Sequence, residues 1–266
     1  MSLFALISAA AWLIVVATAA IFRSRAYALF RAVMLGVHSL IAVAVLPLFE
    51  ALWAPLVWPF FYLHATVFLQ SLFLVRPRMR SLPHRALLSI PASFFQAGTM
   101  LALPWALMAA FGFKAPLVFV PYALAALGLW QSVGRPALEE IDVVVRDGDA
   151  GERVRPHPRG DARCERPLRI VQITDTHLGA FMPVSRLRAV CARAVERDPD
   201  LVLLTGDFLT MESQSDPEVL AAALEPLAPV AERTFACLGN HDLEAPETVR
   251  HALAKIGAKL LIDEAA

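Results

Sequence analysis

Three short segments in the carboxyl-terminal half of the chain carry side chains that can bind metal ions. They read TDTH at residues 174–177, GD at 206–207 and GNHD at 239–242. Each segment directly follows an apolar run that predicts a β-strand, and the carboxyl ends of parallel strands meet at one edge of a sheet. Any one of these segments alone would more often be an ordinary turn. Three in succession predict a single site.

The predicted site holds two divalent metal ions. Asp175 and His177 are two residues apart, so in an extended chain their side chains point the same way and can share one ion. Asp207 follows a glycine that permits a tight turn, and its two carboxylate oxygens can bridge two ions. Asn240 adds a neutral oxygen ligand. These oxygen and imidazole ligands suit Mn²⁺, Fe or Zn²⁺, and we favour Mn²⁺.

The third segment also supplies groups for acid catalysis. Two metal ions about 3.5–4 Å apart clamp a phosphoryl group and activate water for attack on it. We expect His241 to remain free of metal and to protonate the leaving oxygen, because an imidazole titrates near neutral pH. We expect Asp242 to orient the ring of His241. The predicted chemistry is hydrolysis of a phosphoester or a pyrophosphate.

Strands and helices that alternate from Leu168 onward must position these segments. Apolar runs predict strands at residues 168–174, 200–207, 234–240 and 258–263, and periodic stretches between them predict helices at 183–198, 216–230 and 245–257. Asp216 and Pro217 have the residue types of an N-cap and a first helical position. This alternation predicts a parallel sheet covered by helices, that is, an α/β domain.

The motifs D-x-H, G-D and G-N-H-D, in this order after successive strands, resemble those of the calcineurin-like metallophosphoesterases. With the apolar amino-terminal half, the chain is similar to the membrane-anchored bacterial branch of that family. The resemblance covers Leu168 to Ala266 and implies a two-sheet β-sandwich flanked by helices, of which this chain would hold the first βαβαβ part. It implies a first metal ion bound by Asp175, His177 and Asp207. It also implies a second ion bound by Asp207 and Asn240, with His241 at the substrate phosphate.

The chain departs from the family pattern in its last residues. The family continues with a histidine after a later strand and a G-H-x-H segment, which together add three metal ligands, whereas this chain stops at Ala266. His251 is the only histidine after the GNHD segment, and its place in a predicted helix makes it a poor ligand candidate. We therefore expect a C-terminally truncated domain with weakened metal binding and low or absent activity.

The amino-terminal half predicts a bundle of transmembrane helices. Five apolar runs, several of them about the 20 residues that a helix needs to cross a bilayer, occupy residues 3–22, 32–49, 52–75, 86–113 and 115–130. We therefore divide the chain into a transmembrane bundle (1–130), a charged linker (131–167) and a truncated metallophosphoesterase domain (168–266). His38 and His64 lie inside predicted spans. Each is either a functional group or a structural histidine that is hydrogen-bonded to a neighbouring helix.

Charge is distributed unevenly between the two halves. Residues 1–130 contain seven arginines and one lysine against one glutamate, a net charge of +7, and the remainder carries −7. The acidic half argues against a nucleic-acid partner. Arginines cluster between the first and second and between the third and fourth spans, which predicts that both loops are cytoplasmic. The phosphoesterase domain is then cytoplasmic with five spans and extracytoplasmic if residues 86–130 cross only once.

The sequence predicts a multi-pass protein of the cell (inner) membrane, a metal-dependent phosphohydrolase. Its substrate would be a phosphorylated small molecule or, given the bilayer anchor, a lipid-linked phosphate. The alternative is a non-catalytic membrane protein that carries a degenerate phosphoesterase remnant. Substrate identity and oligomeric state stay open.

Overall fold

The computed structural model describes residues 2–134, 139–143, 156–157 and 168–263. Its amino-terminal half is helical throughout. The helices are α1 (Leu3–Phe22), α2 (Arg25–Leu52), α3 (Val57–Phe73, after a 3₁₀ turn at Ala54–Leu56), α4 (Leu82–His84, continued by a π-helical turn at Arg85–Ser89), α5 (Ile90–Leu101), α6 (Leu103–Ala110) and α7 (Val120–Gly134).

Three helical segments of the described residues are long and apolar enough to cross a membrane: 3–22, 25–52 and 54–73. Residues 82–101 and 103–110 add a fourth if this pair, bent by 52°, is one span. The predicted fifth run forms α7, which has 15 residues. The first span agrees with the predicted bounds, and the second begins earlier, so that Arg25 and Arg31 lie inside α2 and not in a loop.

The surface of the bundle is apolar, as the surface of helices in lipid must be. Leu3, Ile14 and Ile21 of α1 are each more than half exposed. An exposed apolar surface on this scale is rare in soluble monomers. This surface supports membrane association of the amino-terminal half.

His38 and His64 meet in the interior of the bundle. His38 Nε2 lies 3.2 Å from His64 Nδ1, and His64 Nε2 lies 2.9 Å from Ser8 Oγ. Both histidines are buried, and Phe95 packs edge-on against the His38 ring. The hydrogen bonds join α1, α2 and α3, which matches the structural alternative that we gave for these histidines.

The linker is described in part. Strands β1 (Asp142–Val143) and β2 (Pro156–His157) pair antiparallel in a two-stranded sheet of their own. Residues 135–138, 144–155 and 158–167 of the predicted linker lie outside the described residues, and so does Cys164.

The carboxyl-terminal half is a parallel-sheet α/β domain, as predicted. Its elements are β3 (Ile170–Ile173), α8 (Val184–Glu196), β4 (Leu201–Thr205), α9 (Pro217–Leu224), a 3₁₀ segment (Glu225–Arg233), β5 (Thr234–Cys237), α10 (Pro246–Ile256) and β6 (Lys259–Leu260). The strands are ordered β3-β4-β5-β6, all parallel. Among the described residues this is the only sheet of the domain, so the second sheet of the implied sandwich is not seen.

One face of the sheet forms the core with the helices. Val202 and Leu204 of β4 alternate with less buried residues and pack with Leu187 of α8 and Leu253 of α10. The opposite face is more open, and Ile170 is 52% exposed there. Local signals set the helix ends as expected: Asp216 Oδ1 accepts a hydrogen bond from Val219 N at the start of α9.

The bundle contacts the α/β domain through its arginine-rich ends. Arg23 Nη2 donates to Gln214 Oε1 at 2.8 Å, and Arg85 Nε donates to the carbonyl oxygen of Ala180 at 2.8 Å. Arg23 follows α1 and Arg85 lies between α3 and α5. Both arginine clusters therefore lie on the side of the bundle that carries the domain.

Candidate metal centre

The backbone brings the TDTH segment against the GD segment. Beyond β3 and β4, His177 N donates to the carbonyl oxygen of Asp207 at 2.9 Å, and Asp175 N donates to that of Gly206 at 3.3 Å. Asp175, His177 and Asp207 all have positive φ angles, of 51°, 42° and 53°. Non-glycine residues in this left-handed region are uncommon, and such residues cluster at functional sites. Left-handed turns, and not the extended chain that we predicted, therefore position Asp175 and His177.

Two motif glycines allow the second and third segments to meet. Gly206 has a φ of +81°, and a Cβ placed on it would lie 2.4 Å from Gly239 N. A Cβ on Gly239 would lie 2.2 Å from Asp207 Oδ1. Any side chain at either position would displace the neighbouring backbone or the Asp207 carboxylate. The glycines of GD and GNHD thus serve the close approach of the two strand ends.

The side chains of three predicted site residues converge on one point. Ligand atoms of His177, Asp207 and His241 all lie within 4.8 Å of one another. His177 Nε2 is 3.8 Å from Asp207 Oδ2, and the two imidazole rings are 4.8 Å apart, edge to face. Asp175 Oδ1 lies 3.9 Å from His177 Nε2. Asp207 also accepts a hydrogen bond from His241 N, which fixes its carboxylate.

Asp242 is placed differently from its prediction. Its carboxylate is fully buried, and its oxygens accept hydrogen bonds from Leu209 N at 3.1 Å and Gly239 N at 2.9 Å. Burial raises the pKa of this carboxyl group, although the backbone amides oppose the shift. No hydrogen bond joins Asp242 to the His241 ring in the part of the chain that is described. The side chain therefore ties together the loops that carry Asp207 and His241.

The remaining predicted residues lie as follows. Asn240 is exposed next to His241, and the described structure gives its side chain no hydrogen bond. His251 lies on the surface of α10, where its Nε2 is 3.2 Å from Glu218 Oε1, as expected for a residue that is not a ligand.

The residues present fit a divalent metal ion. One carboxylate and two imidazoles offer oxygen and nitrogen ligand atoms within 4.8 Å of one another, and this ligand set suits a first-row transition metal. The left-handed backbone conformations of His177 and Asp207 help to position both side chains. The cluster includes His241, so the geometry permits His241 to be a ligand as well as an acid.

A cavity of about 300 Å³ extends from this centre to the amino-terminal helices. His177 and His241 line it on one side, and Arg31 of α2 and Gln70 of α3 line it on the other. Gln70 Nε2 donates to Glu212 Oε1 at 2.9 Å across the interface. Neither Arg31 nor Gln70 was among the predicted site residues. Gln70 lies in the predicted span 52–75, where polar residues are functional candidates by default, whereas Arg31 lies in the predicted loop before residue 32.

Comparison with known proteins agrees with this geometry. Residues 168–260 match the family model of the calcineurin-like phosphoesterases. The chain is 33% identical over 103 residues to the phosphodiesterase YaeI of Escherichia coli, covering 37% of this chain and 38% of the relative. It is 43% identical over 76 residues to the UDP-2,3-diacylglucosamine pyrophosphatase LpxG of Chlamydia trachomatis, covering 28% of this chain and 22% of the relative.

A transmembrane protein with a metallophosphoesterase domain from Danio rerio is 27% identical over 127 residues, which are 47% of this chain and 25% of the relative. The matches thus span well under half the length of these relatives. No solved structure matches the chain. The strand-end motifs and their convergence agree with the match of residues 168–260 to the family model of the calcineurin-like phosphoesterases.

Proposed function

We propose that this protein is a membrane-anchored, metal-dependent phosphohydrolase that cleaves a phosphodiester or a pyrophosphate. The observation that carries the proposal is the convergence of His177, Asp207 and His241 at three strand ends. The left-handed conformations of His177 and Asp207 at this point support the proposal, because residues with strained backbones cluster at functional sites. The names of the relatives, a phosphodiesterase and a pyrophosphatase, support this reaction class.

The candidate site residues would have separate roles in metal binding and in proton transfer. Asp175, His177, Asp207 and Asn240 would hold two divalent ions, and Mn²⁺ is our first choice. When bound, these ions polarise the phosphoryl oxygens and lower the pKa of water. Water adds to phosphorus while the bond to the leaving oxygen breaks, and His241 donates the proton that this oxygen needs.

A lipid-linked substrate is the form of the proposal that we favour. The helices next to the site have an apolar outer surface, and the cavity opens between them and the metal centre. A relative that is 43% identical over the matched stretch is named as a pyrophosphatase of UDP-2,3-diacylglucosamine, which carries acyl chains. An enzyme whose site adjoins the bilayer would reach such a phosphate without extracting the whole molecule.

The experiment uses the whole chain, purified in detergent and supplied with Mn²⁺. We expect bound Mn²⁺ and hydrolysis of an aryl phosphodiester. We expect Asp207→Asn to lose metal and to reduce kcat/KM by about 100-fold or more, since a ligand that bridges two ions stabilises transition-state charge. Asp198→Asn is the matched control, because Asp198 is an exposed carboxylate that pairs with the surface arginines Arg169 and Arg233. We expect it to behave as the parent chain.

His241→Ala separates the two roles of this histidine. Retained metal with a loss of about 10²–10⁴ in kcat identifies a general acid. Loss of metal identifies a ligand. If the unsubstituted chain binds no metal at any pH, the phosphohydrolase proposal fails and the degenerate-remnant alternative stands.

A further inference from the structure

A buried arginine, Arg31, lines the cavity beside the candidate metal centre. Arg31 is 6% exposed and lies inside helix α2. Its Nε donates to Tyr27 Oη at 2.9 Å, and its Nη2 lies 3.6 Å from Met211 Sδ, a weak acceptor. No carboxylate among the described residues pairs with it. A guanidinium has five N–H donors, and among the described residues Tyr27 and Met211 are the acceptors that Arg31 contacts.

An unpaired buried charge is costly, and proteins normally compensate it with an opposite charge. Arg31 lines the same cavity as His177 and His241, which belong to the candidate metal centre. Tyr27 and Phe30 flank its guanidinium, which fixes its orientation without neutralising it. An anion bound in the cavity would supply the missing partner.

The carboxylate of Glu212 lines the same cavity and offers a second polar group that a bound ligand can contact. Glu212 is 5% exposed, and its Oε1 is held by Gln70 and Ser89. Its Oε2 is buried and has no hydrogen-bond partner among the described residues. A buried acceptor of this kind requires a donor, which a ligand hydroxyl or amide group can provide.

We propose that Arg31 binds a second anionic group of the substrate, next to the phosphate that is cleaved. The substrate is then a diphosphate or a similar ester with two anionic groups. Its organic part carries hydrogen-bond donors that contact Glu212. This inference rests on the proposed phosphohydrolase function and deepens it. It makes a membrane helix part of the substrate site, so the amino-terminal half recognises the substrate as well as anchoring the domain.

The test compares two inhibitors of aryl phosphodiester hydrolysis by the full chain, with free Mn²⁺ held constant. Methylenediphosphonate carries two anionic groups joined by a bridge that is not hydrolysed, and orthophosphate carries one. We expect Arg31→Met to weaken methylenediphosphonate about 10- to 100-fold, as for the loss of a charge-assisted pair, and orthophosphate much less. Arg25→Met is the matched control, because Arg25 is an exposed arginine of the same helix that does not line the cavity. We expect both inhibition constants to stay unchanged in it.

Arg31→Lys keeps the charge and loses the planar fork, so we expect an intermediate loss. If Arg31→Met does not fold, the same inhibition constants are measured for Arg31→Lys. Calorimetric titration with methylenediphosphonate gives a readout that needs no turnover. If the parent chain binds metal and hydrolyses the ester while both Arg31 variants keep the parental ratio of inhibition constants, the subsite is refuted and the proposed function survives. If the parent chain binds neither metal nor diphosphonate, both proposals fail.

Discussion

Asp207 is the residue on which the candidate site depends most. Its carbonyl oxygen accepts from His177 N, its carboxylate accepts from His241 N, and its φ angle is positive. One residue of the GD segment thus positions the other two segments. The residue before Asp207 is a glycine because Gly206 lies against Gly239 and leaves no room for a Cβ.

The two described cysteines differ in their environment. Cys191 is fully buried in α8, and burial raises the pKa of its thiol to about 12, whereas Cys237 is exposed at the end of β5. Only the thiolate reacts with alkylating reagents. In a Cys164→Ser variant at pH 8 we therefore expect iodoacetamide to modify Cys237 and to reach Cys191 only after denaturation. Mass spectrometry of the digested protein reads this out, and modification of both in the native protein would contradict the described packing.

The same shift has a defined effect on stability. The pKa of Cys191 is higher in the folded state than the ordinary value of 9.0, so folding favours the protonated thiol. The stabilisation that the protonated Cys191 thiol contributes to the folded state is complete below about pH 9. This stabilisation decreases as the pH rises toward 12. Cys191→Ala should remove this part of the alkaline loss of stability, which thermal unfolding at pH 8 and pH 10 would measure.

At the scale of elements, a small polar cluster joins α3, the π-helical turn before α5 and the loop after β4. Gln70, Ser89 and Glu212 form it, and all three are buried. Hydrogen bonds to a buried charged group contribute more than neutral ones, and an unsatisfied partner adds a desolvation cost. This cluster therefore fixes how the domain sits on the bundle.

Gln70→Leu should weaken that junction. It removes the donor to Glu212 Oε1, and we expect a loss of about 1–3 kcal/mol in the stability of the docked form. A lower midpoint of thermal unfolding in detergent would show it. Gln131→Leu, at an exposed position of α7, is the matched control. Equal midpoints for the two variants would mean that the cluster does not hold the halves together.

At the scale of the molecule, contacts of Arg23 and Arg85 put the α/β domain on the arginine-rich side of the bundle. The positive-inside rule predicts that this side is cytoplasmic. For the chain to return there after α3, residues 82–134 must cross the membrane twice or not at all. This arrangement agrees with the cytoplasmic alternative of the sequence analysis.

Reporter fusions would test this orientation in cells. We expect green fluorescent protein fused after Asp263 to fluoresce and alkaline phosphatase fused there to be inactive. Fusions after Gly112, in the loop between α6 and α7, are the control and should give the opposite pattern if residues 82–134 cross twice. An active phosphatase at Asp263 would place the domain outside and contradict the orientation.

Local patterns determined much of this protein. The strand and helix alternation after Leu168, the N-cap at Asp216 and the bounds of α1 follow from residues within a few positions of each other, and the structure has them as predicted. The three strand-end segments could also be identified from the sequence, because the segments that follow the strands of a parallel sheet lie at the same edge of that sheet.

Contacts between distant residues were decided only by the tertiary structure. The left-handed turns at Asp175 and His177 depend on hydrogen bonds to the loop after β4, and the Asp242 carboxylate satisfies backbone amides instead of the His241 ring. Arg31 lines the cavity beside the candidate metal centre because helix α2 packs against a domain that starts more than a hundred residues later. Sequence periodicity shows which face of an element is apolar, and it does not show which buried groups will share a cavity once the elements pack.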